Sequence, residues 1–426
     1  MEHKPRSNAS AQAAPLASAS IDAHPLAFSG SGGEYFRVWI VNVLLSIVTL
    51  GWYTPWARRR TAQYFYGHTL VADSPLEFTA PQGKMVKGFV LLVLLTLAYK
   101  IAVNTRQDTA AALLVLAGAA LAPYLWASAM RFRLGNTRWR GLRLQFLASW
   151  RDVYSASWPV FAIALVWIGV VFGLRWAAPA LAEALDGATP AAEGGKGHAM
   201  PPLPPALWGL LLLGVALSVL CFIRLEYNYK SLLVLRTHLG AEAGRWKPVY
   251  MDFVKIWLTT VGVFLLSVLG VLGMAALVAL AAGGSVALLA GLGKNAGVWV
   301  FFVFLFGFIA LFMLLLLASA PARAYREARM FLLQWNNIGV SQVARFRCTL
   351  SVRAFVWLRV RNLMLTLLTL GFYRPFARVN EYAMKLESVT LHIKGGVNQL
   401  AGHMLRHQEG GLGDALADAA GLDLIG

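Results

Sequence analysis

Long runs of apolar residues, separated by short polar and basic segments, dominate the chain. Six runs have the length of a membrane span, because about 20 apolar residues cross the hydrocarbon core as a helix. They lie at about 88–105, 110–130, 158–178, 205–223, 256–282 and 296–320. Hydrocarbon offers no water to the backbone, so each run must satisfy its own hydrogen bonds as a helix. The pattern predicts an all-α polytopic membrane protein with six transmembrane helices.

The polar segments between the runs share a second pattern. Each starts with a basic and aromatic amphipathic stretch, passes through a Gly, Asn or Asp turn, and ends in β-branched or aromatic residues. The final stretches are SPLEFTA, LRLQFLASW, KPVYMDF and ARFRCTLS, and the segment ARVNEYAMKLESVTLHIKGG fits the same template. We therefore expect a small hairpin-like element in each loop and an internally repeated unit of span, basic helix, hairpin and span.

One short phrase occurs near each end of the chain. NVLLSIVTLGWYTPWAR at 42–58 and NLMLTLLTLGFYRPFAR at 362–378 share nine of seventeen residues. Glycine adopts backbone angles that other residues avoid, and proline cannot donate a helical hydrogen bond, so each phrase predicts a broken helix. The candidate motif residues are Asn42, Gly51, Tyr53, Pro55, Arg58, Asn362, Gly371, Tyr373, Pro375 and Arg378.

The path of the two phrases through the membrane has two interpretations. If neither phrase crosses, both are re-entrant and both chain termini face the cytoplasm. If both cross, the copies have opposite orientations, as in inverted-repeat transporters. A crossing second phrase would carry Arg374, Arg378 and Lys385 outside, against the charge rule for membrane loops, so the pattern favours re-entry.

The net charge of +18 is concentrated in alternate loops. Four loops together hold 23 Lys and Arg and 7 acidic residues, whereas the connections between them hold 4 basic residues. The basic loops are 54–88, 131–157, 224–255 and 321–353, and the others are 99–110, 176–204 and 283–296. This positive-inside pattern places the basic loops in the cytoplasm, where they are expected to contact anionic lipid headgroups and not nucleic acid.

The chain divides into three parts by composition. Residues 1–33 are rich in Ala, Ser and Pro, without the apolar core of a signal peptide, and are expected to be a disordered tail. Residues 34–395 form the membrane domain with its repeated units. Residues 396–426 are Gly-rich, turn acidic, and are expected to be a flexible tail.

A known family carries similar segments. FSGSGGEYFRVWIVNVLLSIVTLGWYTPWARRRTAQYFYGHT, LGNTRWRGLRLQF and WNNIGVSQVARFRCTL resemble the YjgN family of bacterial inner-membrane proteins, a domain-of-unknown-function family. The resemblance covers roughly 28–395 and is weakest in the third basic loop. It implies a multi-pass protein of the bacterial inner membrane and brings no catalytic residue with it.

Acid–base and metal-binding side chains do not converge in the sequence. His403, His407 and Glu409 have a spacing that can hold a metal, but they lie in the Gly-rich tail. Neither a Ser–His–Asp order nor an HExxH motif occurs. We therefore expect no enzymatic activity, no cofactor and no metal site.

Two arginines are candidate intramembrane charges. Arg359 and Arg361 lie just before the second phrase, where burying a charge needs a reason. They either extend to the interface as anchors or line, with Asn42 and Asn362, a path for an anionic solute.

Two functions follow as hypotheses. The first is a transporter or channel-like protein for a small, anionic solute, built around the two broken phrases. The second is a non-transporting scaffold or envelope protein whose basic cytoplasmic face binds anionic lipid or a protein partner.

Overall fold

The computed structural model describes residues 21–177, 205–240, 242–281, 296–340 and 344–394. The helices are α1 Gly32–Val48, α2 Thr54–Gly67, α3 Gln82–Asn104, α4 Asp108–Gly135, α5 Trp150–Ala156, α6 Trp158–Ala177, α7 Pro205–Leu235, α8 Tyr250–Ala281, α9 Ala296–Asn337, α10 Val352–Leu368 and α11 Arg374–Glu387. The strands are β1 Ile21–Pro25, β2 Ala27–Phe28, β3 Thr69–Val71, β4 Ser74–Phe78, β5 Thr137–Trp139, β6 Leu142–Phe146, β7 Thr237–Leu239, β8 Glu242–Trp246, β9 Ile338–Val340, β10 Ala344–Cys348 and β11 Val389–Lys394.

The predicted spans are confirmed by length and composition. Six helical stretches of the described chain are long and apolar enough to cross a membrane. They are Gln82–Asn104, Asp108–Gly135, Trp150–Trp176, Trp208–Leu235, Tyr250–Met274 and Gly307–Asn337. Many of their large apolar side chains are exposed in the single chain, as a lipid-facing surface requires.

The strands correct the expectation of an all-α fold. They form one antiparallel sheet of 11 strands, in the order β1-β11-β10-β9-β8-β7-β6-β5-β4-β3-β2. The two ends of this order, β1 and β2, are separated in the chain by Leu26 alone, so the sheet closes into a ring. Leu26 continues the pairing, because its backbone N–H donates to the Val389 carbonyl at 2.9 Å. The hairpins expected in the loops therefore join edge to edge, which leaves none of them isolated.

Side chains alternate between the two faces of the ring. Val71 and Leu76 on one side of the ring line the same cavity as Phe346 on the other side, so their face points inward. The register places apolar partners beside them, including Trp139 opposite Leu76 and Leu391 opposite Phe346. The intervening positions point outward and include several arginines, namely Arg138, Arg143, Arg245, Arg345 and Arg347.

Two-residue turns connect the first two hairpins. Ala72 and Asp73 have φ of 47° and 59°, and Arg140 and Gly141 have φ of 49° and 81°. Two consecutive positive φ angles give a type I′ turn, whose twist matches that of paired strands. The third hairpin lies earlier than the sequence indicated, because β8 is Glu242–Trp246 and not KPVYMDF.

The end of the predicted N-terminal tail is structured. Ile21–Pro25 and Ala27–Phe28 are strands, and α1 begins at Gly32. The hydroxyl of Ser31 accepts from the Glu34 backbone N–H, while the Glu34 carboxylate accepts from the Ser31 backbone N–H. This capping box is visible in the sequence as Ser-x-x-Glu and marks the start of α1. Residues 1–20 and the predicted tail 396–426 lie outside the described residues.

Every long helical connection leaves the ring and returns to it. Helices α3 and α4 join β4 to β5, α6 and α7 lie between β6 and β7, and α8 and α9 lie between β8 and β9. The ring therefore lies on one side of the six spans. Helices α1 with α2, and α10 with α11, also start and end at the ring, but they are shorter than the spanning pairs.

The pairing of β1 with β11 can be tested by a disulfide. Ala23 lies directly opposite His392, whereas Arg345 lies one strand further along the same row. In a chain carrying Cys221→Ala and Cys348→Ala, the Ala23→Cys/His392→Cys pair is expected to form an intrachain disulfide on mild oxidation, seen as a gel shift reversed by reductant. Paired strands lie about 4.8 Å apart, within reach of a disulfide.

Ala23→Cys with Arg345→Cys is the matched control, because two strand spacings, about 9.6 Å, exceed disulfide reach. Equal reaction of both pairs, or no reaction of the first pair, would contradict ring closure.

Candidate functional site

Each repeated phrase folds as a helical hairpin with the same turn. Leu50 and Gly51 have φ of 50° and 90°, and Leu370 and Gly371 have φ of 50° and 96°. The Gly51 N–H donates to the Ser46 carbonyl at 2.7 Å, and the Gly371 N–H makes the equivalent bond at 2.7 Å. This is the Schellman end of a helix, in which left-handed residues close the last carbonyls. The predicted breaks are therefore sharp reversals of the chain.

A threonine and a proline complete each turn. The hydroxyl of Thr49 accepts from the Tyr53 backbone N–H at 3.0 Å, and Thr369 accepts from Tyr373 at 2.9 Å. Pro55 and its equivalent Pro375 are the second residues of α2 and α11, where a missing N–H costs nothing. The prolines thus begin the second helices. The threonines were missed as candidates, although both belong to the repeated Thr-Leu-Gly.

The two phrase asparagines join the helices of each hairpin. The Asn42 side-chain amide donates to the Ala57 carbonyl at 3.4 Å, and Asn362 donates to the Ala377 carbonyl at 3.3 Å. Both asparagines are buried, with 6% and 1% of their surface exposed. A buried amide is costly without a hydrogen bond, so each one ties its hairpin together.

The two phrases lie side by side. Phe36 of α1 stacks on Phe376 of α11 with ring centroids 5.6 Å apart, and Trp39 meets Phe372 edge-on at 6.4 Å. Arg378 donates to the Tyr35 hydroxyl at 3.1 Å. Because both hairpins leave the ring in the same direction, the copies are parallel and not inverted.

A cavity of about 1140 Å³ lies between the ring and the first hairpin. It extends from the inner face of the ring along α1 and α2 toward their turn. Side chains from α4, α9 and α11 close its other walls. Its lining includes Asn42, Val43, Ile47, Arg58, Thr61, Phe65, Val71, Leu76, Arg133, Phe346, Arg378 and Tyr382.

The cavity carries an excess of positive charge. Arg58, Arg133 and Arg378 line it, whereas the described lining contains no carboxylate. Arg133 donates to the Tyr66 hydroxyl at 3.2 Å, and the Arg378 guanidinium lies 5.0 Å from the centre of the Phe65 ring. Arg133 and Arg378 are therefore oriented by aromatic side chains, and their charge is available to an anion.

Neutral hydroxyl groups complete the polar lining. Tyr382 and Thr69 share a hydrogen bond of 2.7 Å at the mouth of the ring. Burial raises the pKa of Tyr382 above its ordinary value, so this phenol stays protonated at physiological pH. Since the Thr69 hydroxyl donates to the Phe65 carbonyl, the Tyr382 O–H donates to Thr69, and the phenol adds no negative charge to the cavity.

The second hairpin has the same backbone but a different interior. Arg359 forms ion pairs with Glu381 and with Glu327, the latter at 3.1 Å. Lys385 binds the other Glu327 oxygen at 2.6 Å. The equivalent positions of the first hairpin hold Trp39, Thr61 and Phe65. A network of four charges therefore occupies the second copy where the first copy has an open, largely apolar space.

Most of the remaining candidate residues lie in the ion network, in the hairpin turns or along the cavity. Arg359 lies in the ion network, and Arg361 is exposed on the same helix. Gly51, Tyr53, Pro55 and their equivalents shape the turns, while Asn42, Arg58 and Arg378 line the cavity. Among the described residues no group of three or more His, Cys, Asp or Glu could hold a metal. His403, His407 and Glu409 lie outside the described residues.

Comparison with known proteins agrees with the resemblance seen in the sequence. A family model described as a bacterial protein of unknown function, DUF898, matches residues 23–419. Inner membrane protein YjgN of Escherichia coli O157:H7 is 26% identical over 152 residues, which cover 36% of this chain and 38% of that protein.

Inner membrane protein YjgN of Salmonella typhimurium is 27% identical over 147 residues, which cover 33% of this chain and 35% of that protein. The matches thus span less than two-fifths of these relatives. No solved structure matches the chain.

The hairpin turns predict a specific effect of side chains at two glycines. Gly51→Ala and Gly371→Ala are each expected to lower stability by about 1 kcal/mol or more, because L-residues disfavour positive φ. A β-carbon would contact nothing within 4 Å at either position, so the cost is one of backbone conformation. Thermal unfolding in mild detergent measures it.

Gly88→Ala in α3 is the control, since this glycine also has free space and lacks a positive φ. It is expected to be neutral or stabilising, because alanine favours helix. An unchanged unfolding midpoint for both turn variants would show that the turns do not require glycine.

The ion network predicts a difference between two neighbouring arginines. Arg359→Gln leaves two carboxylates without their shared cation and is expected to lower the unfolding midpoint clearly. Arg361→Gln, at an exposed position of the same helix, is expected to change stability by less than about 0.5 kcal/mol. Equal midpoints of the two variants in the same detergent would argue against a structural role for the network.

Proposed function

Because the chain belongs to the DUF898 family of bacterial proteins, with relatives that are inner membrane proteins, we propose that it is an integral inner-membrane protein that binds an anionic amphiphile. The cavity between the ring and the first hairpin is the binding site. The ligand class is a lipid with a negatively charged headgroup. The observation that carries the proposal is the set of three arginines facing an apolar space whose described lining has no carboxylate.

The charge of the cavity supports an anionic ligand. Three like charges around one cavity repel one another, and no carboxylate in the described lining compensates them. A bound phosphate or carboxylate relieves that repulsion and accepts charge-assisted hydrogen bonds from the guanidinium groups. The second hairpin compensates its own buried-side cations, Arg359 and Lys385, with the carboxylates of Glu381 and Glu327. Within the described ion pairs neither carboxylate serves Arg58 or Arg378, so a ligand anion would supply the counter-charge of the cavity arginines.

The length of the cavity supports an acyl chain. Its lining runs along α1 from Tyr35 near the ring to Ile47 near the turn. Twelve helical residues span about 18 Å, close to the roughly 15 Å depth of one leaflet's hydrocarbon layer. Ile47 is 66% exposed, so the apolar end of the lining reaches the lipid-facing surface of the hairpin. A lipid could therefore enter with its chains along α1 and its headgroup toward the ring.

The charge pattern supports one orientation of the protein in the membrane. The ring and its basic loops lie on one side of the spans, and the positive-inside rule assigns that side to the cytoplasm. Both ends of the described chain, Ile21 and Lys394, pair with each other in the ring. We therefore expect both termini in the cytoplasm and the cavity open to the cytoplasmic leaflet.

The outer face of the ring favours one second function. Arg138, Arg245, Arg345 and Arg347 are exposed there and point away from the core. A basic outer face of this kind suits an acidic partner or the anionic membrane surface. The protein would then act as a scaffold, with the cavity lipid as a structural component.

Protection of a cavity cysteine from alkylation tests the binding proposal. Ala62→Cys in a chain lacking Cys221 and Cys348 places a thiol in the cavity wall. In the purified full chain, phosphatidylglycerol is expected to slow its reaction with maleimide severalfold, whereas phosphatidylcholine is not. Adding Arg58→Gln and Arg378→Gln should remove most of this protection, because two of the three guanidinium donors in the cavity are lost.

Gln63→Cys is the matched control thiol, since it is exposed on the same helix and does not line the cavity. Arg361→Gln is the charge control. Equal protection by both lipids, or protection that survives loss of Arg58 and Arg378, would overturn the proposal. If phosphatidylglycerol protects the thiol, the next measurement is movement of labelled lipid between the two leaflets of proteoliposomes. Movement would indicate lipid transport, and absence of movement would indicate the scaffold function.

A further inference from the structure

A second groove lies at the ring-side ends of α5, α6 and α7. Its volume is about 590 Å³, and no residue of its lining belongs to the first cavity. Its polar lining includes Asp152, Ser155, Arg224, Asn228, Ser231 and Arg236. Helices α6 and α7 are spans, so the groove lies where two spans leave the membrane toward the ring.

Arg224 is held in this groove by aromatic rings. Its guanidinium lies 5.2 Å from the centre of the Tyr227 ring and 5.1 Å from that of Tyr250. Its Nε is buried and has no hydrogen-bond partner among the described residues. A buried N–H of a charged group without an acceptor is costly, so the site is incomplete as it stands.

The nearby carboxylates are already paired with other cations. Asp152 binds Arg236 at 3.1 Å. Glu226 binds Lys230 at 3.0 Å and Arg326 at 3.4 Å. Within the described ion pairs, no carboxylate serves Arg224, so the groove has one surplus positive charge.

Neutral donors and an interfacial aromatic residue surround that charge. The Asn228 amide donates to the Ala156 carbonyl at 2.9 Å and thereby fixes α7 against α5. The hydroxyl groups of Ser155 and Ser231 line the groove. Trp158, at the start of α6, is 49% exposed beside it, as is typical of tryptophan at headgroup depth.

We propose that this groove binds a phosphate ester, with Arg224 as the charged donor and the two serines as neutral donors. The phosphate belongs to the headgroup of an anionic lipid in the leaflet facing the ring. The planar guanidinium suits two phosphate oxygens, and the aromatic rings on which it rests leave it little freedom to lose on binding. The lipid's chains would then lie on the exposed apolar surface of α6 and α7.

Local cysteine protection tests this site separately from the first cavity. Ser231→Cys and, in a second variant, Ser155→Cys place thiols in the groove of a chain lacking Cys221 and Cys348. Dioctanoyl phosphatidylglycerol is expected to protect both thiols from maleimide, and dioctanoyl phosphatidylcholine is not. Arg224→Gln should raise the concentration of anionic lipid needed for half-protection by about tenfold or more, since a charge-assisted bond is lost.

Three controls make the outcome specific. Arg224→Lys keeps the charge and should restore most of the protection, which separates binding from a folding defect caused by loss of the aromatic contacts. Arg151→Gln, exposed on α5 and outside the groove lining, should have no effect. Protection of Ala62→Cys should persist in Arg224→Gln, because the first cavity is a separate site.

The two lipids and inorganic phosphate distinguish a headgroup site from a site for free phosphate esters and from no specific site. Protection by the anionic lipid alone supports a headgroup site, and equal protection by inorganic phosphate assigns the same site to free phosphate esters. Protection by both lipids alike, or half-protection unchanged by Arg224→Gln, overturns the proposal.

Discussion

The closure of the sheet is the constraint on which the rest of this structure depends. A two-stranded hairpin is marginal in water, and its outer edges carry unpaired N–H and C=O groups. Here short hairpins are separated in the chain by pairs of membrane helices, so none can be stabilised by its sequence neighbours. Pairing edge to edge satisfies the backbone N–H and C=O groups of all these strands except those on the outer edges of β3 and β11. The segment from Ile21 to Phe28 lies between these two edges and closes the ring. It pairs with β11 through its first half and with β3 through its second half.

Closure explains why the repeated phrases meet although 320 residues separate them. Helix α1 follows β2 directly, and α11 precedes β11 directly. Because β1 and β11 are paired, α1 and α11 leave the same part of the ring and pack through Phe36 and Phe376. The adjacency is thus a consequence of strand pairing at the chain ends. Nothing in either phrase alone encodes it.

Local signals in the sequence predicted local structure. The six spans follow from apolar length, the breaks at Gly51 and Gly371 from glycine and proline, and the four strands β4, β6, β10 and β11 from short stretches with β-branched or aromatic residues. The ring, the strand at Ile21–Phe28 and the partners of Arg359 depend on contacts between distant parts of the chain. Glu327 lies 32 residues from Arg359 on another helix, and no periodicity reveals that pairing. The strand in the N-terminal segment was missed because a stretch containing Ala and Pro has weak strand propensity and is ordered only by its partners.

The difference between the two hairpins bears most directly on function. A duplicated backbone with the same turn, the same asparagine bond and the same arginine at 58 and 378 would be expected to fill its interior in the same way. It does not, since Arg359, Glu381 and Lys385 replace Trp39, Thr61 and Phe65. In the second copy these three side chains form ion pairs together with Glu327. The first copy has uncharged side chains at the same positions, and they border the cavity whose described lining holds three arginines and no carboxylate. The same hairpin backbone thus accommodates either a set of ion pairs or a wall of an open cavity, and the substitutions at these three positions decide between them.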